Sequence, residues 1–150
     1  MLFRSNHTLI NREHCVRNPG KFKGYGPDCW GLTASDAVNG YDAHSPTNDH
    51  GTISPTAALS AFPYTPEYSM QALRHFLTKK ELPIWGPYGF YDAFNESRSW
   101  VSSGYLAIDQ GPIVAMIENY RTGLLWKLFM GIPDIQQGLR KLGFESPALH

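Results

Sequence analysis

Four prolines, Pro55, Pro66, Pro112 and Pro133, each stand at the head of a segment whose apolar residues recur with helical spacing. Proline is tolerated at the first helical position, where its missing N–H costs nothing, and it stops a helix arriving from upstream. A chain punctuated in this way must fold as short helices joined by loops. Ser54 and Thr65 precede two of the prolines and offer capping hydroxyls, so helices are expected over about 55–62 and 66–80. In the second, Met70, Leu73, Phe76 and Leu77 share one face, with Arg74, Lys79 and Lys80 nearer solvent. Gly111-Pro112 opens a further helix carrying the stripe Ile113, Met116, Ile117 and Tyr120, with a break at Gly123. Helices over 124–130 and 133–142 follow.

Upstream, Leu2, Leu9 and Val16 recur at seven-residue spacing, predicting a helix over 2–17 that Asn18-Pro19-Gly20 ends. Asp28 and Asn39-Gly40 suggest the start and stop of another over Cys29–Val38. Residues 39–54 are rich in turn formers and poor in aliphatics, so a long loop with its own hydrogen bonding is expected, in which Asp49-His50 either stitches the loop or binds a ligand. Residues 84–105 combine aromatics and glycine without helical periodicity and read as an extended loop with room for one short β-hairpin. The fold class is all-α. At 150 residues, one domain is the expectation.

Composition narrows the partners. The net charge is zero and the 13 basic residues are scattered, so no face follows a phosphate backbone and nucleic acid is not an expected partner. No stretch approaches a membrane span, no export signal begins the chain as written, and no membrane is expected as a partner. The six histidines lack metal-ligand spacing, and neither a metal nor another cofactor is expected. Cys15 and Cys29 have no redox spacing and carry no assigned chemistry.

The polar groups of YLAIDQGPIVAMIENYRTG, residues 105–123, demand a reason, because Asp109, Gln110, Glu118 and Arg121 interrupt an apolar segment. Buried charge is costly unless paired, so these residues form a structural network or line a cavity. Asp109 lies near a helix start, where the helix dipole favours the ionised form; it is either a cap or a catalytic carboxylate. Glu118 and Arg121, three residues apart, form an intrahelical ion pair or contact a ligand.

The blocks GPDCWGLTASD (26–36), DHGTISPTAALSAFPYTPEYSMQALR (49–74), WGPYGFYDAFN (85–95) and YLAIDQGPIVAMIENYRTGLLWKLFM (105–130) resemble the glycoamylase-like domain of glycoside hydrolase family 144, which includes bacterial endo-β-1,2-glucanases. The resemblance implies the C-terminal part of an (α/α)6 toroid, a β-glucan or gluco-oligosaccharide partner, and hydrolysis by inversion with Asp109 as base. The general acid of the family would be a glutamate upstream of all residues present. It also implies that full-length relatives are exported. Sugar-contacting candidates are Trp30, Tyr88, Phe90 and Tyr91, with Trp85 and Trp100, for stacking on a pyranose face. Asp36, Asp92, Asn95, Gln110, Glu118 and Arg121 are candidates for its hydroxyls. A shortened ring would expose the Ile113, Met116, Ile117 stripe or Leu124, Leu125 and Leu128, and so favour self-association.

Overall fold

The computed structural model describes residues 2–80, 82–147 and 149, and divides into two units, Met1–Ile117 and Glu118–His150. Among the described residues it has six α-helices and three two-stranded antiparallel ladders. In chain order these are α1 (Leu2–Arg17), β1 (Ala34–Ala37), β2 (Gly40–Ala43), α2 (Pro55–Leu59), α3 (Pro66–Thr78), β3 (Trp85–Gly86), β4 (Gly89–Phe90), β5 (Phe94–Asn95), β6 (Trp100–Val101), α4 (Ala107–Thr122), α5 (Leu124–Met130) and α6 (Pro133–Lys141). No helix among the described residues is long and apolar enough to cross a membrane.

The proline-headed helices α2, α3 and α6 begin where the sequence places them. Their caps differ from expectation. Neither Ser54 nor Thr65 makes a side-chain cap; Ser54 Oγ instead donates to the Asp92 carbonyl at 2.7 Å. In α4 the helix starts at Ala107 and encloses Pro112. Its first turn is nucleated by the Leu106 carbonyl, which accepts from the N–H groups of Asp109 (3.0 Å) and Gln110 (2.9 Å). Pro112 then forfeits only the bond to the Ile108 carbonyl, and Asp109 falls in the first turn.

The helix expected over Cys29–Val38 is absent, and the single hairpin foreseen is three. Val38-Asn39 forms a two-residue β-turn and Gly40 opens β2: Ala37 pairs with Gly40, and Asp36 with Tyr41. An Asn-Gly pair after a short run suits a helix end or the exit of a hairpin turn. Gly31 decides between them, with φ at +144° and a position where a Cβ would lie 2.6 Å from the Ser54 carbonyl oxygen, so the chain there is extended against α2. Cys29, Trp30 and Leu32 are thereby buried in the core.

That core belongs to the first unit. Phe76 of α3 meets Phe90 and Phe94 edge-on, each at 5.8 Å between ring centres, and Ile53, Leu59, Ile84 and Trp30 close around them. The buried face of α3 is Ser69, Ala72 and Phe76, with Leu73 packed beside it, whereas Met70 and Leu77 are exposed. Lys79 also departs from expectation, being buried against Glu96 with 2.5 Å between Nζ and Oε1. In α4, Ile113 and Ile117 pack on the core and are not the exposed stripe anticipated.

Two polar stitches hold the first helix and the long loop. Asn11 matches the backbone of Leu32 with both halves of its amide, Nδ2 to the carbonyl at 2.7 Å and Oδ1 from the N–H at 3.0 Å. Asp49 accepts from His14 Nε2 (2.8 Å), the Tyr25 hydroxyl (2.7 Å) and the Gly51 N–H (2.9 Å), and so stitches its loop. Cys15 and Cys29 are buried free thiols, and burial pushes Cys15 up to about 12, which leaves it inert at neutral pH. In the second unit, α5 exposes Leu124, Leu125, Leu128 and Phe129.

Phe76→Ala is expected to cost roughly 3–5 kcal/mol, whereas Leu77→Ala, one residue on, should cost less than about 0.5 kcal/mol. Urea denaturation of the two variants measures both. Equal losses would mean that the core face of α3 is misassigned.

Candidate active site

Three aspartates that are far apart in sequence meet in the first unit. Asp36 comes from β1, Asp92 from the turn between β4 and β5, and Asp109 from the first turn of α4. A closed ring of hydrogen bonds fixes two of them. The Asp36 N–H donates to Asp92 Oδ2 at 2.7 Å, and Ser102 Oγ donates to Asp36 Oδ2 at 2.6 Å. Ser102 Oγ in turn accepts from the Gly104 N–H at 3.0 Å, and the Gly104 carbonyl accepts from the Asp92 N–H at 3.2 Å. Outside the ring, Ser54 holds the Asp92 carbonyl, and Thr56 Oγ1 donates to the Asp109 carbonyl at 2.7 Å.

Asp109 is 7% exposed and Asp92 1%. The Asp109 carboxyl is pushed from 3.8 up to about 7, first by burial, then by hydrogen bonding to the Asp92 side chain and the negative charges of Asp92 and Asp36. Position in the first turn of α4 was expected to favour the ionised form; removal from water and two like neighbours outweigh the dipole. At neutral pH the group is therefore poised between acid and base.

Beside it lies an aromatic wall. Gln110 Nε2 donates to the Phe90 carbonyl at 2.9 Å and ties the head of α4 to the β3–β4 hairpin. Tyr105 packs with Tyr91 (5.0 Å between ring centres) and with Tyr88 (5.4 Å). Gly86 makes room for them, since a Cβ there would meet the Tyr105 hydroxyl at 2.1 Å. Tyr88 is 80% exposed and Trp85 56%, so both offer ring surface to solvent.

Other expected ligands are placed elsewhere. Trp30 is 0% exposed and Phe90 is wedged between Phe76 and Trp85, so both rings belong to the core and neither presents a stacking face. Asn95 is buried, with Oδ1 capping the Arg98 N–H and Nδ2 donating to the His50 carbonyl, and so is not a free sugar partner. Asp92 is buried beside Asp109, with one oxygen taken by the Asp36 N–H. Gln110 spends one amide proton on the hairpin. In the second unit Arg121 Nη1 and Glu118 Oε2 form an ion pair at 3.1 Å. Trp100 is half-buried and pairs with Asn95 across β5–β6.

One cluster has no trace in the sequence spacing. Donor atoms of Cys29, His75 and Glu96 lie within 4.8 Å of one another. Lys79 Nζ stands among them, 2.5 Å from Glu96 Oε1 and 3.4 Å from His75 Nε2, so an ammonium already fills the place a cation would take.

Residues 3–133 match the glycoamylase family model, described as "Putative glucoamylase". An exo β-1,2-glucooligosaccharide sophorohydrolase of Parabacteroides distasonis is 49% identical over 144 residues, covering 93% of this chain and 20% of the relative. The crystal structure of a "putative glucoamylase" from Bacteroides uniformis superposes with a TM-score of 0.95 at 62% identity, over 97% of this chain and 35% of that one. An endo-β-1,2-glucanase from Chitinophaga pinensis, solved with sophorotriose and glucose, gives 0.92 at 62% identity over 96% of this chain and 35% of that one. The chain thus spans about a fifth of the length of the curated relative and about a third of these solved relatives.

The pH dependence of stability should reveal the raised carboxyl. Its folded value, about 7, lies above its ordinary 3.8, so the folded state keeps a proton that the unfolded chain releases; this stabilisation is complete below 3.8 and is lost as pH rises through 7. Buried His44 is shifted down and works oppositely, losing stability as pH falls through its ordinary 6.5, but it is common to wild type and Asp109→Asn, so the difference between the two over pH 6.5–8 isolates Asp109. Across that window melting temperature should fall more steeply for the wild type than for Asp109→Asn. Parallel slopes would place Asp109 in the ordinary carboxylate range.

Proposed function

This chain belongs to the glycoamylase family, and from that membership we propose that it supplies the C-terminal part of an (α/α)6 domain hydrolysing β-1,2-linked glucan by inversion. The observation that carries the reading is Asp109, a buried carboxyl at the head of α4 held near 7 beside the exposed rings of the 85–91 hairpin. Inversion needs a carboxylate to activate water and an acid, roughly 6.5–9.5 Å away, to protonate the leaving oxygen. A base works best when its proton affinity matches the working pH. Asp109 meets that condition, which an ordinary aspartate does not.

In this reading Asp109 takes the proton of the attacking water, while Tyr88 and Trp85 stack on the apolar face of a glucosyl unit. The proton donor comes from the portion of the relatives that this chain does not span. The activities of the Parabacteroides and Chitinophaga relatives support β-1,2-glucan as the substrate. We further propose that residues 1–150 fold as part of one catalytic domain, and that the apolar row on α5 promotes self-association, which light scattering would show as a mass that rises with concentration.

The test replaces the matching segment of the Chitinophaga glucanase with this chain and measures reducing-sugar release from linear β-1,2-glucan. The chimera should be active, Asp109→Asn should lower kcat at least about a hundredfold, and this chain alone should bind gluco-oligosaccharides without turnover. Failure of a folded chimera on every β-glucan offered would remove the substrate assignment.

A further inference from the structure

We propose that Asp92 is the positioning residue of this site, its buried carboxyl holding one proton in common with that of Asp109. The proposal rests on the reading of Asp109 as the base and names what holds that base in its working state.

The donors around the pair are already committed. The Asp36 N–H goes to Asp92 Oδ2, the Ser54 hydroxyl to the Asp92 carbonyl, and the Thr56 hydroxyl to the Asp109 carbonyl. Asp92 Oδ1 and Asp109 Oδ2 remain, both buried and neither receiving a hydrogen bond. The two side chains nonetheless lie within hydrogen-bonding reach of each other. Two carboxylates are acceptors only, so a bond between them requires a proton on one. Among the described residues no ion pair reaches Asp36, Asp92 or Asp109, and the titratable groups bearing on Asp109 are Asp92 and Asp36, both acidic. With no cation among the described residues to neutralise it, a doubly ionised buried pair is the costly state, and a shared proton relieves it.

Asp92 suits the role because it cannot move. The ring through Asp36, Ser102 and Gly104 fixes one oxygen and the backbone, so its other oxygen is presented to Asp109 in a single orientation. When water attacks, its oxygen bonds to the anomeric carbon as the glycosidic bond breaks, the leaving oxygen takes its proton from the donor that the rest of the domain supplies, and the proton lost by the water joins the doubly ionised pair as the shared one, leaving a single negative charge. Solvent recovers that proton as the product leaves. Asp36 contributes charge and the N–H that orients Asp92.

Carboxyl carbon NMR of the labelled chain tests this without any need for turnover. The side-chain carbons of Asp92 and Asp109 should shift together in one step near neutral pH, and both should show a hydrogen–deuterium isotope shift. In Asp92→Asn the amide oxygen can still accept from the Asp36 N–H while its NH2 donates to an ionised Asp109. The Asp109 midpoint should therefore fall by at least one pH unit, a tenfold loss of proton affinity. An unchanged midpoint in the folded variant overturns the proposal. Should the variant fail to fold, the wild-type isotope shift decides, since its absence from either carbon excludes a shared proton. In the chimera, Asp92→Asn should move the acid limb of the kcat/KM profile to lower pH. An inactive chimera with an intact isotope shift would instead indict the substrate reading and leave the pair standing.

Discussion

A carboxylate with almost no contact with water sits at the junction of four chain segments, and the site depends on it. Asp92 receives the N–H of β1, receives the Ser54 hydroxyl ahead of α2, gives its own N–H to Gly104, and faces the head of α4. Burying a charge this deeply is tolerable only if its lone pairs are used. Three of the four links are ordinary hydrogen bonds, and they leave one oxygen with nothing but another acid to face. The satisfied part of the network is what enforces the unsatisfied part: β1, Ser54 and Gly104 hold Asp92 where it must confront Asp109.

Much of the helical frame was legible because proline acts locally. Pro55, Pro66 and Pro133 fix φ and bar an incoming helix whatever the rest of the fold does, and α2, α3 and α6 start at them. Pro112 misled, since the turn enclosing it is nucleated by Leu106, whose neighbours carry no capping signature. The hairpin β1–β2 was illegible for a different reason. Its choice between helix and strand is made by Gly31 pressed on the Ser54 carbonyl, a contact between segments more than twenty residues apart. The face of α3 slipped likewise: small Ser69 and Ala72 bury fully where the chain comes close, leaving Met70 and Leu77 outside.

The site was half legible. Asp109 stood out as an acid in an apolar run, and the aromatic hairpin as a loop with rings to present. The sequence did not separate Tyr88, which is exposed, from Phe90, which is core, although two residues apart they leave the hairpin in different surroundings. Nor could it show Asp92 buried and held, because its hold is the N–H of Asp36, 56 positions upstream, itself anchored by Ser102.

The sign of the effect at Asp109 shows why long-range contacts outrank local ones here. A helix N-terminus is worth about 0.3–1 kcal/mol to a carboxylate, less than a tenfold change in proton affinity. The climb from 3.8 to about 7 is roughly three powers of ten in the other direction. Two acids brought from elsewhere in the chain, with water withdrawn, reverse what the helix alone would do. A carboxyl moved this far still holds its proton near neutrality, where an ordinary aspartate has already released its own. The raised carboxyl is therefore made by burial and by the acids of β1 and the β4–β5 turn, and α4 only carries it.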